Sequence, residues 1–253
     1  MKHFYVFNLN KYKRPFLLIA IIALVVALFI VLNPTRLISI FQMDEQTALT
    51  KGNKNENNIA LTFNISWGEE KVYDILKVLH KHKVRATFFV SGEWAERHPQ
   101  IMEEISEEGH EIGMLGYRYK NYLEFDLEQI RKDISYAKEV FNKLGYQDMK
   151  YMRSPSGHFN EEMDDLVQSL GLEMIHWSIN PRDWENPGIE EIANFITEEA
   201  SSGDIVLLHA SDSAKQTAKA LEEVLPVLQK DKFSFVTISE LINDVSSEEK
   251  LVE

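Results

Sequence analysis

Ala86-Thr87-Phe88-Phe89-Val90-Ser91-Gly92 is a continuous apolar run closed by two small residues. A short run without alternation describes a strand covered on both faces, as parallel strands are. Runs of the same kind lie on either side, at Ile59–Phe63 and Glu111–Leu115, and further along at Lys150–Arg153, Glu173–Ile179, Ile205–His209 and Ser234–Ile238. Between them apolar residues recur at helical spacing. Examples are Val72-Ile75-Leu76-Val78-Leu79, Ile130-Ile134-Ala137-Val140-Phe141 and Leu221-Val224-Leu225-Leu228. This alternation predicts an α/β fold, a distorted (β/α) barrel of about seven parallel strands, with an open doubly wound sheet as the alternative. Either architecture collects functional groups at the carboxyl ends of its strands.

Outward from that core, residues 33–57 read as a linker ending in the polar stretch Lys51-Gly52-Asn53-Lys54-Asn55-Glu56-Asn57-Asn58. Before the linker, Phe16–Leu32 is an unbroken apolar run of 17 residues. That length spans a bilayer at the short end of the range, so one N-terminal transmembrane helix is expected. Residues 1–15 hold Lys2, Lys11, Lys13 and Arg14 and no carboxylate. The positive-inside rule makes them a cytoplasmic tail and sends residues 58–253 outside as one domain. No small-x-small cleavage site follows the run, which favours a retained anchor over a signal peptide.

The 253-residue chain carries a net charge of −13 and no cysteine. Its acidity argues against nucleic acid as a partner, and the missing thiols exclude disulfides, thiolate nucleophiles and cysteine metal sites. An acidic exterior repels anionic polymers but leaves neutral or cationic glycans free to approach.

The strand ends form a specific set: Leu61-Thr62-Phe63-Asn64-Ile65-Ser66-Trp67-Gly68, Ala86–Gly92, Gly109-His110-Glu111-Ile112-Gly113 with Met114-Leu115-Gly116-Tyr117-Arg118-Tyr119, Arg153-Ser154-Pro155-Ser156-Gly157, Asn180-Pro181-Arg182-Asp183-Trp184, and Ile205-Val206-Leu207-Leu208-His209. In these blocks and their order, over nearly all of residues 58–241, the chain resembles the polysaccharide deacetylase (NodB-homology) family, and most closely its sporulation-type, PdaB-like branch. The resemblance implies hydrolysis of N-acetyl C–N bonds in peptidoglycan or a related glycan of the cell wall or spore envelope.

Such chemistry needs an activated water, an electrophile for the carbonyl oxygen and an acid for the leaving amine. By the resemblance, a divalent metal supplies the first two. The family's base position falls on Asn64, its metal carboxylate on Ile65, and its two metal histidines on Leu115 and Tyr119. Ile65 and Leu115 offer no donor atom and a neutral phenol is a poor ligand, so no metal cofactor is expected. Other positions survive: Arg153 matches the motif arginine, Asp183 its acidic partner, and His209 the general acid. These three read either as functional groups or as a buried network retained for folding. A member of this kind is either a hydrolase of altered mechanism or a silent relative that binds glycan or protein through the same cleft.

Around the site opening, Trp67, Tyr119 and Trp184 offer faces for sugar rings, and Ser156 offers a hydroxyl. For Trp184, rim packing is the equal alternative. Trp177 and His176, within an apolar strand, read as core. Of the other histidines, His80 and His82 read as solvated, His110 as part of a structural turn, and His158 as a possible lining residue.

Overall fold

The computed structural model describes residues 48–54 and 56–249. The basic tail, the apolar run and the first part of the linker lie outside the described residues. Among the described residues no helix is long and apolar enough to cross a membrane.

Among the described residues seven strands form: β1 Asn58–Ile65, β2 Thr87–Val90, β3 Glu111–Met114, β4 Tyr151–Met152, β5 Glu173–Met174, β6 Ile205–His209 and β7 Ser234–Phe235. Every pairing among them is parallel, in the order β5-β4-β3-β2-β1-β6, with β7 on the start of β1. The sheet curls into a partial barrel. Past β5 the chain swings across until Ile179 bridges Val206 of β6, which draws the two edges together. β4, β5 and β7 are shorter than the apolar runs that predict them.

Helices cover the outside: α1 Lys71–His82, α2 Gly92–Arg97, α3 Pro99–Glu107, α4 Leu127–Lys143, α5 Glu161–Ser169, α6 Ile189–Glu199, α7 Thr217–Lys230 and α8 Ile238–Glu249. β1 shows why the sheet is apolar on both faces. Leu61, Phe63 and Ile65 enter the main core beneath the helices, while Ala60 joins a second cluster with Phe89, Leu115 and Ile175. α1 has no capping side chain of its own. Its first amides are met from afar, by Asp212 accepting from Glu69, Glu70 and Lys71, so the end of β6 is tied to the loop after β1.

The expected linker ends earlier than its polarity suggests. Leu49 bridges Ile175 and Lys51 bridges Asp204, while Lys51 Nζ lies 2.7 Å from the Asp204 carboxylate. Backbone pairing absorbs polar groups that side-chain polarity alone would leave in water.

His110 is structural, as its turn implies: Nδ1 accepts from the Ala86 amide, and the side chain is buried. Burial, then the Arg85 charge, push its pKa down to about 4. A histidine held neutral in the fold contributes stability that is complete above its unfolded pKa of about 6.5 and is lost as pH falls towards 4. Denaturant unfolding should therefore lose up to about 3 kcal/mol over that window on account of His110. His110→Gln should flatten this part of the slope. An equal slope in both proteins would remove His110 as its cause.

Candidate functional site

The cleft opens where the strands end. Register places Asn64 of β1 beside His209 of β6 and Phe89 of β2, and Arg153 follows β4 directly, its amide bonded to Met114. The loops after β1, β3, β4, β5 and β6 wall a cavity of about 670 Å³. Its lining includes Asn64, Ser66, Trp67, Tyr119, Ser156, His158, Phe159, His176, Trp177, Asn180, Trp184 and His209. No Asp, Glu, Lys or Arg is among the lining residues, in a chain of net charge −13.

The three charged or titratable groups expected to form one network divide into two. Asp183, wholly buried, accepts at Oδ1 from His209 Nδ1 (2.8 Å) and at Oδ2 from the His209 amide (2.8 Å) and the Thr217 hydroxyl (2.6 Å). This fixes the ring with Nδ1–H on the carboxylate and leaves Nε2 for the cleft. Trp184 packs edge-on at 5.0 Å and holds the imidazole from the side.

Arg153 does not reach Asp183, which corrects the expected pairing. Its Nη1 donates to Asn64 Oδ1 (3.0 Å), Nη2 to the His176 carbonyl (2.9 Å) and Nε to the Ile175 carbonyl (3.3 Å). The guanidinium carbon lies 4.1 Å from the Phe89 ring centre and 5.5 Å from that of Trp177. Fully buried, and with no carboxylate among these partners, it has its pKa pushed down to about 9. It still carries its charge at neutral pH, spread over carbonyl dipoles and aromatic faces. Asn64 is therefore committed as the acceptor of a buried cation.

A metal does not fit the residues present. Ile65 is wholly buried in the main core and Leu115 in the second cluster, and neither lines the cleft. Tyr119 reaches the cleft, but burial of its hydroxyl raises its pKa against the lowering pull of Arg153, so it remains a neutral phenol. His176 is occupied as well: Nε2 meets the Gly157 carbonyl at 3.1 Å, and burial lowers its pKa. Among the described residues no three His, Cys, Asp or Glu side chains converge as ligands.

Trp67, 54% exposed, stands at the rim; Trp184 and Tyr119 line the wall, and Ser156 bonds Asn121. His158 lines the cleft too, its Nδ1 3.4 Å from the Ser156 hydroxyl. His176 and Trp177, read as core, instead line the cleft, stacked at 3.7 Å. β5 stops at Met174, so the residues after it turn towards the opening rather than continuing an alternating strand. Gly157 makes the fit possible, because a Cβ there would stand 2.3 Å from the Trp177 ring. Phe159, Asn180, Ser211, Ser213 and the Asp183 partner Thr217 carry no signal read from the sequence, although Ser211 and Ser213 lie just beyond His209.

A family model described as Polysaccharide deacetylase matches residues 51–175. A peptidoglycan-N-acetylglucosamine deacetylase of Bacillus cereus is 36% identical over 191 residues, which cover 74% of this chain and 89% of that protein. The peptidoglycan-N-acetylmuramic acid deacetylase PdaA of Bacillus subtilis is 30% identical over 204 residues, 79% of this chain and 77% of its own. Among solved structures, a CE4 family pseudoenzyme from Bacillus anthracis matches with a TM-score of 0.72 and 26% identity, over 77% of this chain and 68% of that one. A mutant of that pseudoenzyme is described as having restored enzymatic activity.

Proposed function

We propose, from the premise that the chain belongs to the polysaccharide deacetylase family, that it holds N-acetylated cell-wall glycan such as peptidoglycan in this cleft without the family's metal-dependent hydrolysis. One observation carries the reading. The metal-carboxylate position is hydrocarbon sealed in the core, and the base position is an amide bonded to Arg153. An amide cannot take a proton from water at neutral pH.

What remains suits a sugar chain. The faces of Trp67, Tyr119, Trp177 and Trp184 can cover pyranose C–H surface, while Ser66, Ser156 and Asn180 meet hydroxyls and the acetamide. His209, with Nδ1 tied to Asp183, can present Nε2 as donor to an acetamide oxygen when protonated and as acceptor to an acetamide N–H or a sugar hydroxyl when neutral. The Bacillus anthracis relative, described as a CE4 family pseudoenzyme, supplies a precedent for this reading. A second reading, hydrolysis by an altered mechanism, draws on the intact Asp183–His209 pair, but that pair supplies an acid and leaves water without a base.

Titration of the full chain with N-acetylglucosamine oligomers should quench tryptophan fluorescence saturably, and Trp67→Ala should weaken binding by about three- to tenfold. No saturable binding in either protein would end the glycan reading.

The apolar run at Phe16–Leu32 and its basic flank support export, with the domain held outside the cytoplasm by one anchor. A role in the cell envelope or the spore follows as part of this proposal. Protease added to intact protoplasts should digest the chain beyond about Pro34. Complete protection would contradict that orientation.

A further inference from the structure

The loop after β3 alternates rings with cations: Tyr117-Arg118-Tyr119-Lys120-Asn121-Tyr122. Its residues face two different spaces. Tyr119 and Leu123 line the cleft, whereas Arg118, Lys120 and Tyr122 line a separate groove of about 370 Å³, closed by Phe125 and Lys132. Cleft and groove therefore share one wall.

Charge in the groove runs against that of the chain. Arg118 lies 6.0 Å from the Tyr117 ring centre and Lys120 5.6 Å from that of Phe125. Neither side chain forms an ion pair among the described residues. Lys132 has an exposed helical neighbour, Glu128, at 3.5 Å. Asp133, the one carboxylate lining the groove, is spent internally: Oδ2 accepts from the Tyr117 amide (2.8 Å) and the Tyr122 hydroxyl (2.6 Å). At the edge, the Tyr117 hydroxyl donates to Glu96 (3.3 Å). With Lys132 offset by Glu128 and Asp133 committed internally, Arg118 and Lys120 are left as the two cations without an ion pair among the described residues, a local anion-attracting surface in a chain of net charge −13. Long cationic side chains resting on rings keep their charged ends available to a ligand.

We propose that this groove binds the oxyanion substituents, carboxylate or phosphate, of a glycan strand whose sugar rings lie in the adjoining cleft. The inference rests on the glycan reading above and extends it to anionic glycans. The neutral cleft takes the sugars and the cationic groove takes the charge, which offsets the repulsion that an acidic protein exerts on an anionic polymer.

The test uses the full chain and three oligosaccharides of equal length: neutral N-acetylglucosamine oligomers, oligomers carrying lactyl carboxylates, and oligomers carrying phosphates. At low salt, at least one anionic series should bind roughly five- to tenfold tighter than the neutral one, from two exposed charge contacts. That advantage should vanish near ~1 M salt, where the Debye length falls to about 3 Å. Arg118→Ala with Lys120→Ala should remove the same factor for the anionic oligomers and leave neutral binding unchanged. Both side chains are exposed, and the salt comparison requires no variant. Preference between the two anionic series identifies the source of the oxyanion. Equal binding of neutral and anionic oligomers overturns the groove and leaves the glycan reading intact. Anionic binding through Arg118 and Lys120 with no neutral binding overturns the cleft reading and keeps the groove as an oxyanion site. Absence of binding by all three overturns both.

Discussion

Asp183→Ala should lower the stability of the domain by about 3–5 kcal/mol, because three donors lose their acceptor together. The His209 amide, the His209 Nδ1–H and the Thr217 hydroxyl all converge on this wholly buried carboxylate. In a domain of this size that corresponds to a fall in melting temperature of roughly 10 °C. Asp183→Asn keeps one oxygen and should fall between the two. His209→Ala should cost less than Asp183→Ala, since the carboxylate then retains Thr217 and the backbone amide. Thermal unfolding that leaves Asp183→Ala at the parent temperature would show that Asp183 does not join β6 to α7.

The second large effect concerns four positions at once. Asn64→Asp, Ile65→Asp, Leu115→His and Tyr119→His would return the base and the ligand types that the family resemblance implies. Ile65 and Leu115 are wholly enclosed by hydrocarbon, so without metal the variant should be less stable than its parent by roughly 4 kcal/mol or more. Asn64→Asp works the other way, giving Arg153 a carboxylate where it now has an amide oxygen at 3.0 Å. Ile65 and Leu115 pack in separate clusters and neither lines the cleft, so added zinc should recover little of that loss. The unmodified chain should not respond. Turnover should stay low even with metal bound, because supporting contacts around the ligands change affinity or activity by about 10–100-fold. A variant as stable as its parent would show that Ile65 and Leu115 are not enclosed as described, and full recovery with zinc would show that the four positions converge after all.

Most of the architecture was legible because buried parallel strands are continuous in sequence and end at recognisable residues. β1, β2, β3 and β6 match their apolar runs closely. Where the reading failed, the cause was tertiary. Glu173–Ile179 is apolar enough for a single strand, yet pairing with β4 ends at Met174 and the chain crosses to β6. His176 and Trp177 consequently reach the cleft. The polar stretch before β1 contains Leu49 and Lys51, whose bridges to Ile175 and Asp204 depend on residues more than a hundred positions away. The separation of Arg153 from Asp183 was hidden for a different reason. A motif names both residues but does not say which oxygen faces which nitrogen, and Thr217 on α7 competes for the carboxylate. Replacement at the metal positions was readable directly, since hydrocarbon side chains have no lone pairs.

We propose that this family member engages glycan without metal-dependent hydrolysis. Acetate release by the unmodified full chain tests it most directly, measured on N-acetylated peptidoglycan fragments with zinc added and with a chelator added, alongside the metal content of the purified protein. Less than stoichiometric metal, and no acetate release that depends on it, are the expected results. One equivalent of zinc, with acetate release that the chelator abolishes and zinc restores, would contradict the proposal.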